Sequence, residues 1–100
     1  MSIEARIAEL GLELPEAPAP GGNYTPVVYI HDLCYVSGHG PLKPDGEMLR
    51  GRVGSEVSEE EGYAAARQVG LTMIATLKAN LGDLDRVVQI VKVLGMVNAA

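Results

Sequence analysis

The spacing of apolar residues changes along this chain, and each change predicts an element. Ile3, Ile7 and Leu10 recur at i, i+4 and i+7, one stripe of a short amphipathic helix over 2–10. Ser2 stands where an N-cap belongs, and Gly11 where a helix stops. Pro15, Pro18 and Pro20 then forbid regular structure, so 14–24 reads as an extended surface segment. Two β-branched or aromatic runs follow, Thr25 to Ile30 and Leu33 to Ser37. They meet at His31-Asp32 and predict a hairpin over 25–38. The stretch 38–51 is rich in glycine and proline and reads as a loop, with Pro44-Asp45-Gly46 as its turn. Arg52 to Val57 is a candidate third, short strand.

Ser58 opens the clearest helix, 58–81. Ser58 and Glu61 have the spacing of a capping box, and Glu59, Glu60 and Glu61 put acid in the first turn, where the helix dipole favours it. Tyr63, Ala66, Gly70, Met73, Leu77 and Leu81 repeat at three and four, and Gly82 ends the pattern. The Ala66/Met73/Leu77 stripe is expected to pack on the sheet. The last run, Arg86 to Asn98, is rich in β-branched residues and apolar on both faces at period two. It predicts a long strand, 86–98, covered on both sides. The whole makes one α+β domain, 1–100.

Composition narrows the function classes. The chain has 100 residues, 47% hydrophobic and 21% charged, without phenylalanine or tryptophan. A net charge of −5 disfavours nucleic acid and anionic membrane as partners. No stretch has the length of a membrane span, and the first residues lack the apolar core of a signal peptide. The single cysteine, Cys34, cannot form an internal disulfide, and a cytoplasmic location is expected. Cys34 reads as a small core residue. On a strand, Cys34 and His39 would point to opposite faces, so no metal site is expected. No cofactor is implied.

Three phrases carry a family resemblance: Gly22-Asn23-Tyr24; Ser37-Gly38-His39-Gly40-Pro41; and Leu81-Gly82-Asp83-Leu84-Asp85-Arg86-Val87-Val88 leading into Val97-Asn98. In this order and spacing the chain resembles the RidA/YjgF/YER057c/UK114 family, whose members include proteins described as L-PSP-type endoribonucleases. The N-terminal helix and Gly51-Arg52-Val53-Gly54 resemble its longer, less characterised branch. The resemblance implies a chorismate-mutase-like α+β fold with helices on one face of the sheet. It further implies a homotrimer with ligand clefts between subunits. In the deaminase branch those clefts take enamines or imines, which water hydrolyses to keto acids and ammonia, and a late-strand arginine grips the substrate carboxylate. The family pattern continues past the point that corresponds to Ala100, so the domain is expected to be incomplete at its C-terminus, without that arginine.

The ligand-binding residues expected on this basis are Tyr24, Ser37, Gly38, His39 and Gly40. Tyr24 aligns with the family's cleft tyrosine. Its plainer reading is an aromatic that anchors the proline segment. Gly38 suits close approach of a ligand to the backbone, or equally a strand end. His39 stands where the family more often has glutamine. It has the chemistry of an acid–base group, or is an ordinary polar loop residue. Ser37 and His39, two apart on a strand, lie too far apart for a serine–histidine dyad. No catalytic residue is assigned. The expected function is that of a small-molecule protein with a carboxylate-bearing ligand, acting as an enamine/imine deaminase of hydrolase type. The alternative is a non-catalytic ligand-binding or regulatory oligomer, and the third class is an RNA-acting protein.

Overall fold

The computed structural model describes residues 2–20 and 22–100. Gly21, inside the expected extended segment 14–24, lies outside the described residues. The element order is α1 (Ile3–Glu9), β1 (Val27–Ile30), β2 (Leu33–Val36) and α2 (Glu59–Leu81), followed by a 3-10 turn at Leu84–Arg86. The chain is α+β, as expected. Its contacts divide into two compact units, Met1–His39 with Leu71–Val88, and Gly40–Gly70 with Gln89–Ala100.

In the first unit, α1 begins and ends as its residues dictate. The Ser2 hydroxyl accepts from the Ala5 N–H at 3.0 Å. At the other end Gly11, with φ 69°, lets its own N–H reach the Ala8 carbonyl and that of Leu12 reach the Ile7 carbonyl. These two bonds form the glycine-closed helix stop of the Schellman type. The seven-residue helix is too short to persist alone. Two links from residues distant in sequence hold it. Asp85 Oδ1 accepts from the Ile3 N–H at 2.7 Å, and Lys78 Nζ lies 3.6 Å from Glu4. Asp85 itself is placed by the turn in which Asp83 accepts from the Asp85 N–H, with Leu84 buried beneath.

β1 and β2 form an antiparallel hairpin, with Val27 facing Val36 and Ile30 facing Leu33. The His31-Asp32 turn closes with His31 at φ 53°, a left-handed conformation that costs a side-chain-bearing residue about 1–2 kcal/mol. Alternation puts Val27 and Tyr29 on one face, with Cys34 and Val36 opposite them. This is the side of α2: Val27 is buried, and the Tyr29 hydroxyl donates to the Asn80 carbonyl at 3.2 Å. The other face carries Val28, Ile30, Leu33 and Tyr35, each about half exposed. Cys34, expected in the core, is exposed: although it lies on the α2 side of the hairpin, that face is only partly covered.

The buried residues of α2 are Leu71, Thr72, Ala75 and Thr76. The expected stripe is therefore out of phase: Ala66 and Tyr63 are exposed, and Met73 and Leu77 are only partly covered. The reason is chemical. Two threonines occupy the inner face because hydrogen bonds satisfy their polar groups, and an apolar count passes over them. The helix ends where Gly82, at φ 82°, donates to the Lys78 carbonyl and Arg86 donates to the Leu81 carbonyl.

In the second unit the capping box at the start of α2 is complete. The Ser58 hydroxyl accepts from the Glu61 N–H, and the Glu61 carboxylate accepts from the Ser58 N–H, both at 3.1 Å. These bonds from Ser58 hold the Glu61 carboxyl below the usual glutamate value. Pro44-Asp45-Gly46 is the expected turn. The Gly46 N–H reaches the Lys43 carbonyl, Asp45 accepts from the Glu47 N–H, and Leu42 bridges Met48. Arg52–Val57, expected as a short strand, is instead a tight turn. Gly51 and Gly54 take φ of 127° and 96°, and the Arg52 carbonyl accepts from both Glu56 and Val57.

The long strand expected over 86–98 is not formed. Arg86 belongs to the 3-10 turn, and pairing appears only at the end, where Val53 bonds to Asn98 and Ala100. A β-branched run has the capacity for a ladder, but the ladder needs a neighbour, and the described residues supply none between 88 and 97.

Candidate functional site

Four of the five expected ligand-binding residues fall in the first unit: Tyr24, Ser37, Gly38 and His39. Ser37 extends the hairpin by one rung, its N–H donating to the Pro26 carbonyl at 2.9 Å. Its hydroxyl donates to the Thr25 carbonyl at 2.7 Å. Ser37 is thus fastened to the two residues that follow Tyr24, and the Tyr24 segment and the end of β2 form one edge. Tyr24 is about half exposed there. Gly38 is exposed, and a side chain built on it would meet nothing within 4 Å. A close backbone approach within the chain is therefore not why glycine stands at 38.

His39 is fixed at both ring nitrogens. Nδ1 lies 2.8 Å from the Ser37 carbonyl and Nε2 2.8 Å from the Thr76 hydroxyl. A carbonyl can only accept, so Nδ1 carries a proton and donates to it, and in the neutral ring Nε2 accepts from the Thr76 hydroxyl. Thr76 is almost wholly buried. Its backbone carbonyl also accepts from the Asn80 amide at 2.8 Å. His39 therefore joins the end of the hairpin to the inner face of α2. Ser37 Oγ and His39 do not pair, in keeping with their strand spacing. Sequence reasoning missed Thr76. Its only signal was the recurrence of Thr72, Thr76 and Asn80 at steps of four along one helix face.

Gly40 belongs to the second unit. A side chain there would meet the end of the flexible Met48 side chain at 3.0 Å, a contact within its own loop. Among the described residues no group of three or more His, Cys, Asp or Glu could hold a metal ion, and no helix is long and apolar enough to cross a membrane. Two open surface grooves lie away from the expected residues. One is an open groove of about 300 Å³ lined by Glu4, Ile7, Ala8, Leu12, Leu14 and Lys78, and another lies beside Ser58, Glu59, Glu60 and Tyr63. The edge made by Tyr24, Ser37, Gly38 and His39 is an open rim, tied down at Ser37 and His39, rather than a closed pocket. It can present backbone polar groups and one phenol to a ligand.

Comparison with known proteins agrees with this architecture. The family model described as "YjgF/chorismate_mutase-like, putative endoribonuclease" matches residues 4–100. Protein TCP17 of Trypanosoma cruzi is 38% identical over 98 residues, which is 98% of this chain and 61% of that protein. A crystal structure from Shewanella oneidensis MR-1, described as a "putative endoribonuclease", is 40% identical with a TM-score of 0.81. The match covers 90% of this chain and 60% of that one. The protein Atu1372 of Agrobacterium tumefaciens, described as of unknown function, is 36% identical with a TM-score of 0.66, over 84% of this chain and 50% of its own. The chain thus spans about three-fifths of the length of the curated relative it matches. With its α+β architecture and a match from residue 4 to residue 100, the chain belongs to the YjgF/chorismate mutase-like family.

Proposed function

We propose that this chain binds a small carboxylate-bearing molecule along the edge made by Tyr24, Ser37, Gly38 and His39, and that a neighbouring copy closes the cleft. The observation that carries the reading is the double fastening of Ser37 to Thr25 and Pro26 beside a half-exposed Tyr24. A rim held in this way is organised before a ligand arrives, so little ordering entropy is lost on binding. The exposed backbone at Gly38 offers polar groups without a side chain in front of them. His39 contributes by position, since both its nitrogens are engaged inside the protein.

The reaction proposed is hydrolysis of an enamine or imine to a keto acid and ammonia, with water as nucleophile. The test is keto-acid release from an imine generated in situ, measured above the spontaneous rate. Acceleration that falls roughly tenfold in Tyr24→Phe, the scale of one hydrogen bond lost near the reacting group, supports the reading. Calorimetric binding of keto acids without turnover would support the non-catalytic alternative. Neither binding nor turnover would overturn both.

The RNA-acting reading is favoured by the description of the family and of the Shewanella relative as endoribonucleases. Against it stands a net charge of −5, which repels a phosphate backbone. RNA binding that weakens steeply with salt, or RNA cleavage by the purified chain, would establish it.

A further inference from the structure

The hairpin leaves one polar group of Ser37 to be satisfied elsewhere. Pro26 and Ser37 face each other on the rung beyond Val27 and Val36. Residues facing each other on such a rung normally exchange two bonds, N–H to carbonyl in each direction. Here the Ser37 N–H donates to the Pro26 carbonyl at 2.9 Å, but proline has no N–H to return. The Ser37 carbonyl is therefore free of the ladder, and His39 Nδ1 donates to it at 2.8 Å. The hairpin holds Ser37 by its N–H and its hydroxyl, whereas the direction of the peptide that follows is set by His39.

That direction matters at the rim. In a trans peptide the C=O and the N–H point opposite ways, and the described residues include no cis peptide bond. With the Ser37 carbonyl turned to the imidazole, the Gly38 N–H points away from it. Among the described residues nothing accepts from that N–H, and Gly38 is exposed. A free donor on a peptide whose carbonyl is tied down is organised in advance for a charged acceptor.

We propose that Thr76 is a positioning residue for this rim: acting through His39, it holds the Ser37–Gly38 peptide so that the Gly38 N–H is a fixed donor to a ligand carboxylate. The inference rests on the reading of the rim as a ligand site. The imidazole can hold the Ser37 carbonyl only while Nδ1 carries a proton and the ring keeps its place. Thr76 supplies both conditions. Its hydroxyl donates to Nε2 at 2.8 Å, which leaves the proton of the neutral ring on Nδ1. Its side chain is almost wholly buried on the inner face of α2, so the anchor itself does not move. Without the hydroxyl, Nε2 faces a methyl group. The ring then gains by turning to water or by carrying its proton on Nε2, and either change releases the Ser37 carbonyl.

The test uses the 100-residue chain, with pyruvate, the simplest keto acid, as the probe. Nitrogen-resolved NMR at about pH 8.5, where an ordinary histidine is neutral, reads the ring proton of His39. It is expected on Nδ1 in the parent and in Thr76→Ser, and over both nitrogens in Thr76→Val. The Gly38 amide signal is expected to move as pyruvate is added. The dissociation constant for pyruvate should rise about fivefold in Thr76→Val, the equivalent of one ordinary hydrogen bond, and return close to the parent value in Thr76→Ser. A parent ring proton on Nε2, or a Gly38 amide that pyruvate moves no more than the other glycine amides, overturns the proposal without any variant. Unchanged pyruvate affinity in Thr76→Val, with its helical circular dichroism intact, overturns the role of Thr76 and leaves the ligand reading standing. A parent with the proton on Nδ1 that binds no pyruvate removes the ligand reading, and the proposal with it.

Discussion

Replacing Thr76 with valine tests how much of the first unit depends on the link from His39 to α2. The two side chains have nearly the same shape, so the change removes one hydroxyl and little else. That hydroxyl sits 2.8 Å from His39 Nε2 and is almost inaccessible to water. Its loss removes a hydrogen bond with a net value of about 1 kcal/mol. It also turns a methyl group toward the imidazole lone pair, which adds a desolvation cost of the same order. His39 is only part-buried, so water can repair some of this, and a destabilisation of about 1–2 kcal/mol is expected. In a chain of this size that corresponds to a fall in melting temperature of roughly 4–15 °C. Urea unfolding of the parent, Thr76→Val, His39→Ala and the double variant makes a cycle, and a coupling energy near 1 kcal/mol is expected. Thr76→Ser keeps the hydroxyl, so it should lose only the methyl contribution, about 0.8 kcal/mol, and retain the coupling. A valine variant within about 0.5 kcal/mol of the parent, additive with His39→Ala, would show that the link carries no energy and refute the reasoning.

Three further outcomes are expected. His31→Gly relieves about 1–2 kcal/mol of left-handed strain and costs about 0.5–1 in chain entropy, so melting should rise slightly; a clear fall would mean that the His31 side chain contributes to the turn. Gly51→Ala should destabilise by about 1–3 kcal/mol, since φ is 127° and the new methyl would lie 2.8 Å from Val57, one of the few buried residues of its unit; unfolding by denaturant measures it, and neutrality would discount the turn. Glu61 has a folded-state value below its unfolded one, so its contribution is present above the ordinary glutamate value of 4.5 and lost as pH falls through the lower folded value. Glu61→Gln should flatten that acid limb of the stability profile, and an unchanged limb would assign it to other carboxylates.

Local chemistry was the legible part of this chain. Ser58 with Glu61, Gly11, Gly82, the His31-Asp32 turn and Pro44-Asp45-Gly46 each act through bonds to residues a few positions away, and each appears where its residue types put it. What depends on distant partners was not legible. Thr76 counts as polar in any periodicity, yet it is the most buried side chain because His39, far along the chain, supplies its hydrogen bond. Cys34 has the composition of a core position, but the layer beyond its face of the hairpin covers it too little to bury it. The run 86–98 reads as strand for the same reason that it fails to be one here: propensity describes a residue's fit to a ladder, not whether a ladder is present. At the candidate site, the names Tyr24, Ser37, Gly38 and His39 came from resemblance. That Ser37 and His39 are engaged inside the protein came only from geometry.

The bond from the Ile3 N–H to Asp85 spans 82 positions of sequence, and it sets a schedule for synthesis. α1 leaves the ribosome well before the residues that hold it, and it can settle only after them. At about 5–20 residues per second, roughly 4–16 seconds separate the appearance of Ile3 from that of Asp85. For most of that interval a seven-residue helix has neither its capping carboxylate nor the Lys78 ammonium to hold it, and it exists as a fluctuating segment open to proteases and chaperones. Nascent chains halted before and after residue 85 should therefore differ abruptly in how readily the peptide bonds of α1 are cut.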